Sequence, residues 1–315
     1  MERRPPVSLI VTTAHEQRTI GAALDALLPQ LAQDDEVVVV CPDDDTAHAV
    51  LARAALGEGV GAPVRLLRDE GRGKPAALNL AIAAARHDLV VLTDGDVTVG
   101  PGALDQLLGP FGDPTVGAVT GHPLPLDSRA TLFGYWAHLL TEAGAHARRV
   151  ERDQSGAYLE CSGYLYAVRR PLLSPLPEDA LAEDGLISRM VWERGGRIRY
   201  APTALVFVKY PSTYHDWLRQ KVRSAGGYAQ KHTISVALAP RRPTAERRGV
   251  GGRSFWEEVK TGTARAWSYP RTARERAWTI LLFAARLHVW LLILWRVRIA
   301  RLPLSAMWKR VETTK

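Results

Sequence analysis

The chain is short of cysteine, and its first residues are not an apolar run. Only Cys41 and Cys161 occur in 315 residues, which excludes a disulfide framework, and neither has partners at metal-ligand spacing. Both stand in apolar, strand-like stretches, where a free thiol is expected to be a small buried residue. The first six residues, Met1-Glu2-Arg3-Arg4-Pro5-Pro6, lack the apolar run of roughly 7–15 residues that marks a signal peptide. The body of the protein is therefore expected in the cytoplasm. No internal repeat and no long low-complexity tract is present. The G-x-x-x-x-G-K-[ST] spacing of a P-loop is missing, and so is any known nucleic-acid-binding motif, so no nucleic-acid partner is expected.

What is present fits a chain that buries a core. Hydrophobic residues make up 46% and charged residues 23%, which excludes a wholly disordered chain. The length fits one large domain, with or without an appendage. The net charge of +8 is unevenly spread. Residues 241–315 hold 17 Lys/Arg against five Asp/Glu, and the remainder holds 24 against 28. Six of the nine tryptophans also lie in that last quarter: Trp256, Trp267, Trp278, Trp290, Trp295 and Trp308. A basic, Trp-rich end on a mildly acidic body points to a membrane surface or another anionic partner.

The first 210 residues alternate short apolar runs with helix-like segments. Strands are expected at 7–13, 37–41, 64–67 and 89–93, and helices at 20–31, 46–56 and 76–85. This β-α-β-α order implies a mostly parallel sheet covered by helices, whose ligands bind beyond the carboxyl ends of the strands. Thr13 to Glu16, Pro42 to Asp45 and Asp94 to Asp96 all follow strands directly. Beyond them, helices are expected at 132–149, 181–193 and 213–230, and a strand at 161–168. Pro, Gly and Arg between 239 and 253 read as a linker or mobile loop. It would separate a catalytic domain at 1–238 from a helical, membrane-associating region at 254–315.

Asp94-Gly95-Asp96 is the sharpest local feature. Gly permits a tight backbone path, so both carboxylates can face one ligand. Hard divalent cations take carboxylate oxygens, and Mg2+ or Mn2+ also takes phosphate oxygens from a substrate. Alone, the triplet is equally compatible with a solvated turn. Upstream, Gly71-Arg72-Gly73-Lys74-Pro75 opens a helix. Such a turn presents free N–H groups and an ammonium to an anion.

With these two motifs in order, the chain resembles the family 2 glycosyltransferases, inverting enzymes with a GT-A fold. The stretch from Val7 to Glu16 is similar to the family's opening strand and nucleotide-binding turn. Gly73-Lys74 with Asn79 resembles its G-K-x-x-A-x-N segment, and Asp94-Gly95-Asp96 its D-x-D metal motif. Gly163 to Arg170 resembles the acceptor-side strand, Glu183-Asp184 the E-D motif, and Gln220 to Arg223 the start of Q-x-x-R-W.

The resemblance implies a fold and a set of roles. The fold would be GT-A, a Rossmann-like, mostly parallel sheet with helices on both faces and a C-terminal helical appendage. Asp96 would be the main metal ligand, with Asp94 holding the metal or the ribose, and the cofactor would be Mn2+ or Mg2+. Asp184 would be the general base, supported by Glu183. Thr13, His15, Glu16, Lys74, Asn79, Gly95, Gln220 and Arg223 would bind the donor. Asp43 and Asp45 are both candidates for reading the base. Gly163, Tyr164 and Arg169 would lie on the acceptor side. UDP-sugars are the family's commonest donors, so a UDP-sugar is expected, with a lipid-linked or glycan acceptor.

Two positions depart from the family pattern. His15 stands where Asn is usual, and Ser224 replaces the Trp of Q-x-x-R-W, a Trp that accompanies processive synthesis. A non-processive enzyme is therefore expected. A sugar nucleotidyltransferase shares the Gly/Lys turn and carboxylate-bound Mg2+ but leaves Glu183-Asp184 without a role. A non-catalytic membrane or nucleic-acid binder acting through the basic tail is a third reading.

The tail contains 19 residues, 277–295, that are apolar apart from Arg286 and His288 near the centre. Their length approaches the ~20 residues that span a bilayer, while a central Arg costs about 2.5–3.5 kcal/mol on insertion scales. The segment reads as an interfacial helix, a span, or a helix packed on the body. Trp at both ends, with Arg296, Arg298 and Arg301 beyond, favours an anionic membrane. The expected location is the cytoplasmic face of the cell membrane.

Overall fold

The computed structural model describes residues 4–56, 62–231 and 263–295. The expected linker at 239–253, Trp256, Trp308, Arg296, Arg298 and Arg301 lie outside them.

Eight strands form one sheet: β1 (Ser8–Thr12), β2 (Glu36–Cys41), β3 (Val64–Arg68), β4 (Leu89–Asp94), β5 (Thr98–Val99), β6 (Val116–Pro125), β7 (Leu165–Arg169) and β8 (Arg197–Val208). Their order is β3-β2-β1-β4-β7-β6-β8-β5. The pairings make β3, β2, β1, β4, β6 and β8 run one way, with β7 and β5 against them. The helices are α1 (Ile20–Leu27), α2 (Asp44–Leu56), α3 (Lys74–Ala84), α4 (Ala103–Leu108), α5 (Leu132–His138), α6 (Ala147–Ser155), α7 (Glu183–Glu193), α8 (Tyr214–Lys231) and α9 (Ala273–Leu294).

The continuous apolar runs become central strands because both faces are covered. Every residue of β2 is buried. Val37 and Val39 face one layer with Ile20 and Leu24 of α1 and Leu104 and Leu107 of α4. Val38 and Val40 face the other, with Leu78 and Ala81 of α3 and Leu186 and Met190 of α7. Each fully buried aliphatic side chain contributes about 1.5–3 kcal/mol of transfer free energy, so these two layers hold the sheet together.

The elements differ from expectation where breakers or captured N–H groups intervene. α1 ends at Leu27, and Pro29 opens a 3-10 turn at Leu28–Gln30. The strand expected at 161–168 starts only at Leu165. Its first residues form a loop whose N–H groups are taken by side chains: Cys161 donates to Ser188 Oγ (2.9 Å), Ser162 to Thr120 Oγ1 (2.9 Å) and Gly163 to Asp184 Oδ2 (3.1 Å). The helix expected at 132–149 continues to Ser155, with a π-helical stretch at Leu139–His146 joining α5 to α6. β6 and β8 had no clear sequence signal. Pro123, Pro125 and Pro202 lie within them, and their register shifts between Val116 and Ala118 and between Thr120 and His122, so proline falls beside bulges.

A third apolar cluster joins α5, α8 and α9 through Tyr135, Trp136, Trp217, Leu282, Val289 and Ile293. α9 is long and apolar enough to cross a membrane by length and composition. Thr272 caps it, its side chain accepting from Glu275 N–H at 3.2 Å. Glu275 in turn takes two bonds from the Arg129 guanidinium, at 2.8 and 3.1 Å. Tyr135 and Thr279 share a hydroxyl contact at 2.6 Å, and Trp136 Nε1 donates to Trp278 O at 2.8 Å. The helix is thereby fastened side-on to the body.

The Arg129 hydrogen bonds hold the Glu275 carboxyl down to about 2, from an ordinary value of 4.5. The contribution of this pair is complete above about pH 4.5 and is lost as the pH falls through about 2. Glu275→Gln is expected to destabilise the protein by about 1–3 kcal/mol at pH 7. In paired thermal melts, that deficit should shrink steadily between pH 5 and pH 2.5.

Candidate active site

The parallel register sets Thr12 of β1 beside Asp94 of β4, and Thr12 Oγ1 donates to Asp94 Oδ1 at 3.3 Å. The next residue turns sharply, with Gly95 N–H donating to Thr12 O at 3.1 Å. A Cβ on Gly95 would lie 2.5 Å from Thr13 Oγ1 and 2.8 Å from Glu16 Oε2, so only glycine fits between Asp94 and Asp96. Thr13 Oγ1 and Glu16 Oε2 are themselves bonded at 2.8 Å, which makes the first turn and the D-x-D turn one packed unit.

Lys74 reaches the same place from α3. Gly73, at φ 106°, precedes it in a backbone conformation suited to glycine, and Pro75 follows in the first turn. Lys74 Nζ lies 2.7 Å from Asp94 Oδ1 and 2.9 Å from Glu183 Oε1. Burial works against its charge, but Asp94 and Glu183 outweigh burial and hold it well above its ordinary value. Burial likewise pushes Glu183 up, and Lys74 pulls it below its ordinary value.

Asp96 is in the opposite condition. Burial first, then the neighbouring Asp94 charge, raise it from 3.8 to about 7. Among the described residues its side chain forms no salt bridge, although the Lys74 and Arg223 charges oppose the rise. Two hard carboxylates side by side fit a divalent cation. No group of three or more His, Cys, Asp or Glu that could hold a metal ion occurs among the described residues.

Asp184 opens α7 beside Glu183. Its Oδ1 accepts from Gly185 N–H at 2.8 Å and its Oδ2 from Gly163 N–H at 3.1 Å, which fixes the carboxylate at the end of β7. The first turn is held by Asp43. His15 N–H donates to Asp43 Oδ2 at 2.7 Å, and Thr46 N–H to Oδ1 at 2.9 Å. These bonds bring Asp43 below its ordinary value although burial opposes them. His15 has φ 53°, a left-handed conformation that Asn and His adopt more readily than most residues. That accounts for His at a position where Asn is usual.

Thr13, Glu16, Lys74, Asp94, Gly95, Asp96, Gly163, Tyr164, Glu183 and Asp184 thus gather along one sheet edge. Arg223 of α8 joins them electrostatically, pulling down Asp96 and Glu183. Gln220 is buried, and its Oε1 has no partner among the described residues. Three residues stand elsewhere. Asn79 uses both ends of its amide on Leu176, at 2.8 Å each, and so ties α3 to the segment leading into α7. Asp45 is exposed in the first turn of α2. Arg169, expected on the acceptor side, lies opposite Leu89 at the far end of β7. There it holds Val116 O and Phe111 O at 2.8 and 3.0 Å.

The sequence reading missed Thr12, Tyr166 and Tyr210. Burial lifts Tyr166 well above its ordinary value beside Lys74, Glu183 and Asp184. Tyr210 packs edge-on against Tyr164, with centroids 6.3 Å apart. Tyr164 and Tyr166 are two residues apart in the same quoted segment, a spacing that could have marked Tyr166.

A mostly parallel, helix-covered sheet with paired carboxylates at the end of β4 and an acidic pair at the start of α7 defines a GT-A transferase fold. The model of the family described as "Glycosyltransferase like family 2" matches residues 5–227, and the chain belongs to glycosyltransferase family 2. It is 26% identical over 235 residues to the probable glycosyltransferase YdaM of Bacillus subtilis, covering 72% of this chain and 56% of that protein. It is 26% identical over 229 residues to a poly-beta-1,6-N-acetyl-D-glucosamine synthase of Staphylococcus aureus, covering 70% and 54%. The chain therefore spans about half the length of these curated relatives. Among solved structures it is similar in fold to the mannosyltransferase PcManGT of Pyrobaculum calidifontis, determined in complex with GDP-Man and Mn2+. That match has a TM-score of 0.63 and 22% identity, over 98% of this chain and 84% of that one.

A carboxyl raised in the folded state costs stability once the pH exceeds its unfolded value, and the cost grows until the pH passes its folded value. For Asp96 that window runs from 3.8 to about 7. Without added cation, Asp96→Asn is expected to raise the thermal midpoint by several degrees at pH 8. At pH 4 it should change the midpoint little, and a pH series of melts reads the difference.

Proposed function

We propose that the chain transfers a sugar from a nucleotide-diphosphate sugar to an acceptor hydroxyl with inversion. The observation that carries this reading is the juxtaposition of the Asp94–Asp96 pair with Asp184, linked through the Lys74 bridge to Glu183. Asp96 and Asp94 would hold Mn2+ or Mg2+, which screens the charge that builds on the departing diphosphate. Lys74 and Arg223 add fixed positive charge at the same end of the sheet. Asp43 and the His15 turn would meet the base of the donor. Mn2+ accompanies GDP-Man in the mannosyltransferase neighbour, which supports a cation here. A UDP-sugar is the proposed donor.

Asp184 receives the acceptor proton as the acceptor oxygen attacks the anomeric carbon and the bond to the diphosphate breaks. The two N–H bonds from Gly163 and Gly185 orient it. Glu183, paired to Lys74, keeps the adjacent position negative without competing for that proton. Ser224, in place of the family's Trp, only bonds back to Gln220 O at 3.0 Å and offers no stacking surface, which supports a non-processive reaction.

The acceptor is proposed to be lipid-linked or membrane-proximal, at the cytoplasmic face of the membrane. Ile280, Leu281, Leu287, Leu291 and Leu294 form an exposed apolar stripe on α9, flanked by exposed Trp267 and Trp295. The opposite face is fixed to α5 and α8. A helix fastened along its length to a polar body fits an in-plane position better than a crossing one. The polar group near its middle, His288, is bonded to Tyr214 OH at 2.7 Å.

Asp184→Asn is expected to lower transfer by about 10²–10⁴-fold while leaving nucleoside-diphosphate affinity in Mn2+ within a few-fold. Asp96→Ala should remove that affinity in a thermal-shift titration. Release of free nucleoside diphosphate supports transfer, and release of pyrophosphate would favour a nucleotidyltransferase. In flotation assays, the full chain should rise with vesicles containing anionic lipid. Leu287→Glu with Leu291→Glu should leave it at the bottom of the gradient.

A further inference from the structure

A second polar cluster lies beside the active site and has no part in the chemistry above. Its centre is the π-helical stretch between α5 and α6, a helix form that recurs at functional sites. His146 stacks on His122 of β6, with ring centroids 4.4 Å apart and planes at 17°. Its Nδ1 meets Tyr200 OH of β8 at 2.8 Å. Arg149, one turn further along, uses only its Nε, which donates to Glu160 O at 3.4 Å.

Among the described residues no carboxylate forms a salt bridge with Arg149, which meets Glu160 through its backbone oxygen, and the other carboxylates nearby hold partners of their own. Glu142 takes bonds from His138 (3.0 Å) and Tyr269 (2.6 Å). Asp153 holds Arg199 at 2.8 Å and Tyr200 N–H at 3.0 Å. Glu151 pairs with Arg265 at 2.8 Å. Burial and then the Arg149 charge push His146 below its ordinary value. Burial and then His146 push His122 down to about 4. Both imidazoles are thus neutral at pH 7, and the guanidinium supplies the net charge. Burial also raises Tyr200; with its hydroxyl donating to His146 Nδ1, the ring hydrogen stands on Nε2.

The position is as informative as the charge. In the sheet order β4-β7-β6-β8, Asp94 ends β4, Gly163 and its partner Asp184 stand at β7, and His122 and Tyr200 lie on β6 and β8. Asp184 therefore sits between the D-x-D turn and this cluster. Strands are spaced about 4.8 Å apart, so β6 and β8 follow β7 as its next and second neighbours. The loop that Arg149 holds at Glu160 is the loop that Asp184 holds at Gly163. Three residues of chain span at most about 11 Å.

We propose that Arg149 and His146 form an anion subsite for the acceptor, and that the acceptor carries a phosphate near the hydroxyl that is glycosylated. This rests on the transfer reading and narrows it. The terminal nitrogens of the Arg149 guanidinium and the Nε2 of His146 have no hydrogen-bond partner among the described residues, and a phosphate can meet both. His122 is a positioning residue that fixes the His146 ring by stacking, its own Nδ1 tied to Pro202 O at 3.2 Å. A lipid phosphate and a small soluble phosphate share this chemistry.

Calorimetric titration of the full chain, first saturated with UDP or GDP and Mn2+, tests the proposal. The probes are glycerol 3-phosphate against glycerol, and monomeric dihexanoyl phosphatidate against dihexanoylglycerol. At least one phosphate should bind tenfold or more tightly than its uncharged counterpart, and the stronger phosphate identifies the source. Arg149→Gln should lose that tenfold, and Arg149→Lys should recover part of it. Nucleoside-diphosphate affinity should stay within twofold in both, which also shows that they are folded. Equal binding of charged and uncharged probes, or an unchanged Arg149→Gln, overturns the subsite alone. Failure of both nucleoside diphosphates to bind overturns the transfer reading and the subsite with it.

Discussion

The ammonium of Lys74 lies between two carboxylates from different elements, and the arrangement of the site depends on it. Asp94 belongs to β4 and Glu183 to α7, with α3 supplying the lysine. Without a cation between them, two neighbouring carboxylates repel each other. With it, Glu183 stays ionised next to Asp184. The Gly-Lys turn that opens α3 thereby joins the end of β4 to the start of α7.

The same edge holds a carboxyl that its cations only partly offset. Burial first, and then the Asp94 charge, raise Asp96 to about 7, although Lys74 and Arg223 pull it down. An enzyme that holds such a carboxylate sacrifices stability for affinity, the usual compromise at binding sites. The acidic body and the basic tail belong to one design in this light. On the proposed function, carboxylates collect where a cation and a proton would be handled, and arginines where the protein would meet anions, at α9 and at Arg149.

Much of this was legible in the sequence, and its limits follow from physics. The strands buried on both faces announced themselves as valine-rich runs, and the D-x-D turn followed from its position after such a run. The role of Gly95 was visible as a need for tight backbone, while the side chains that make it obligatory, Thr13 and Glu16, come from another strand. β6 and β8 were not legible, because prolines beside bulges imitate a loop. Arg169 looked like part of an acceptor strand, but β7 runs antiparallel to β4 and carries it to the wrong end. Asn79 matched its motif and yet serves the backbone of Leu176. Contacts between distant segments, such as Arg129 with Glu275, leave no local trace at all.

The central claim is that the Asp94–Asp96 pair is where cation and diphosphate meet, with Asp184 facing them. Anomalous diffraction from crystals grown with Mn2+ and a nucleoside diphosphate tests it directly. The account predicts one strong manganese peak within coordination distance of Asp96, with the diphosphate on the side of Lys74 and Arg223. A manganese peak away from Asp94 and Asp96, with the nucleotide bound elsewhere on the sheet, would contradict it.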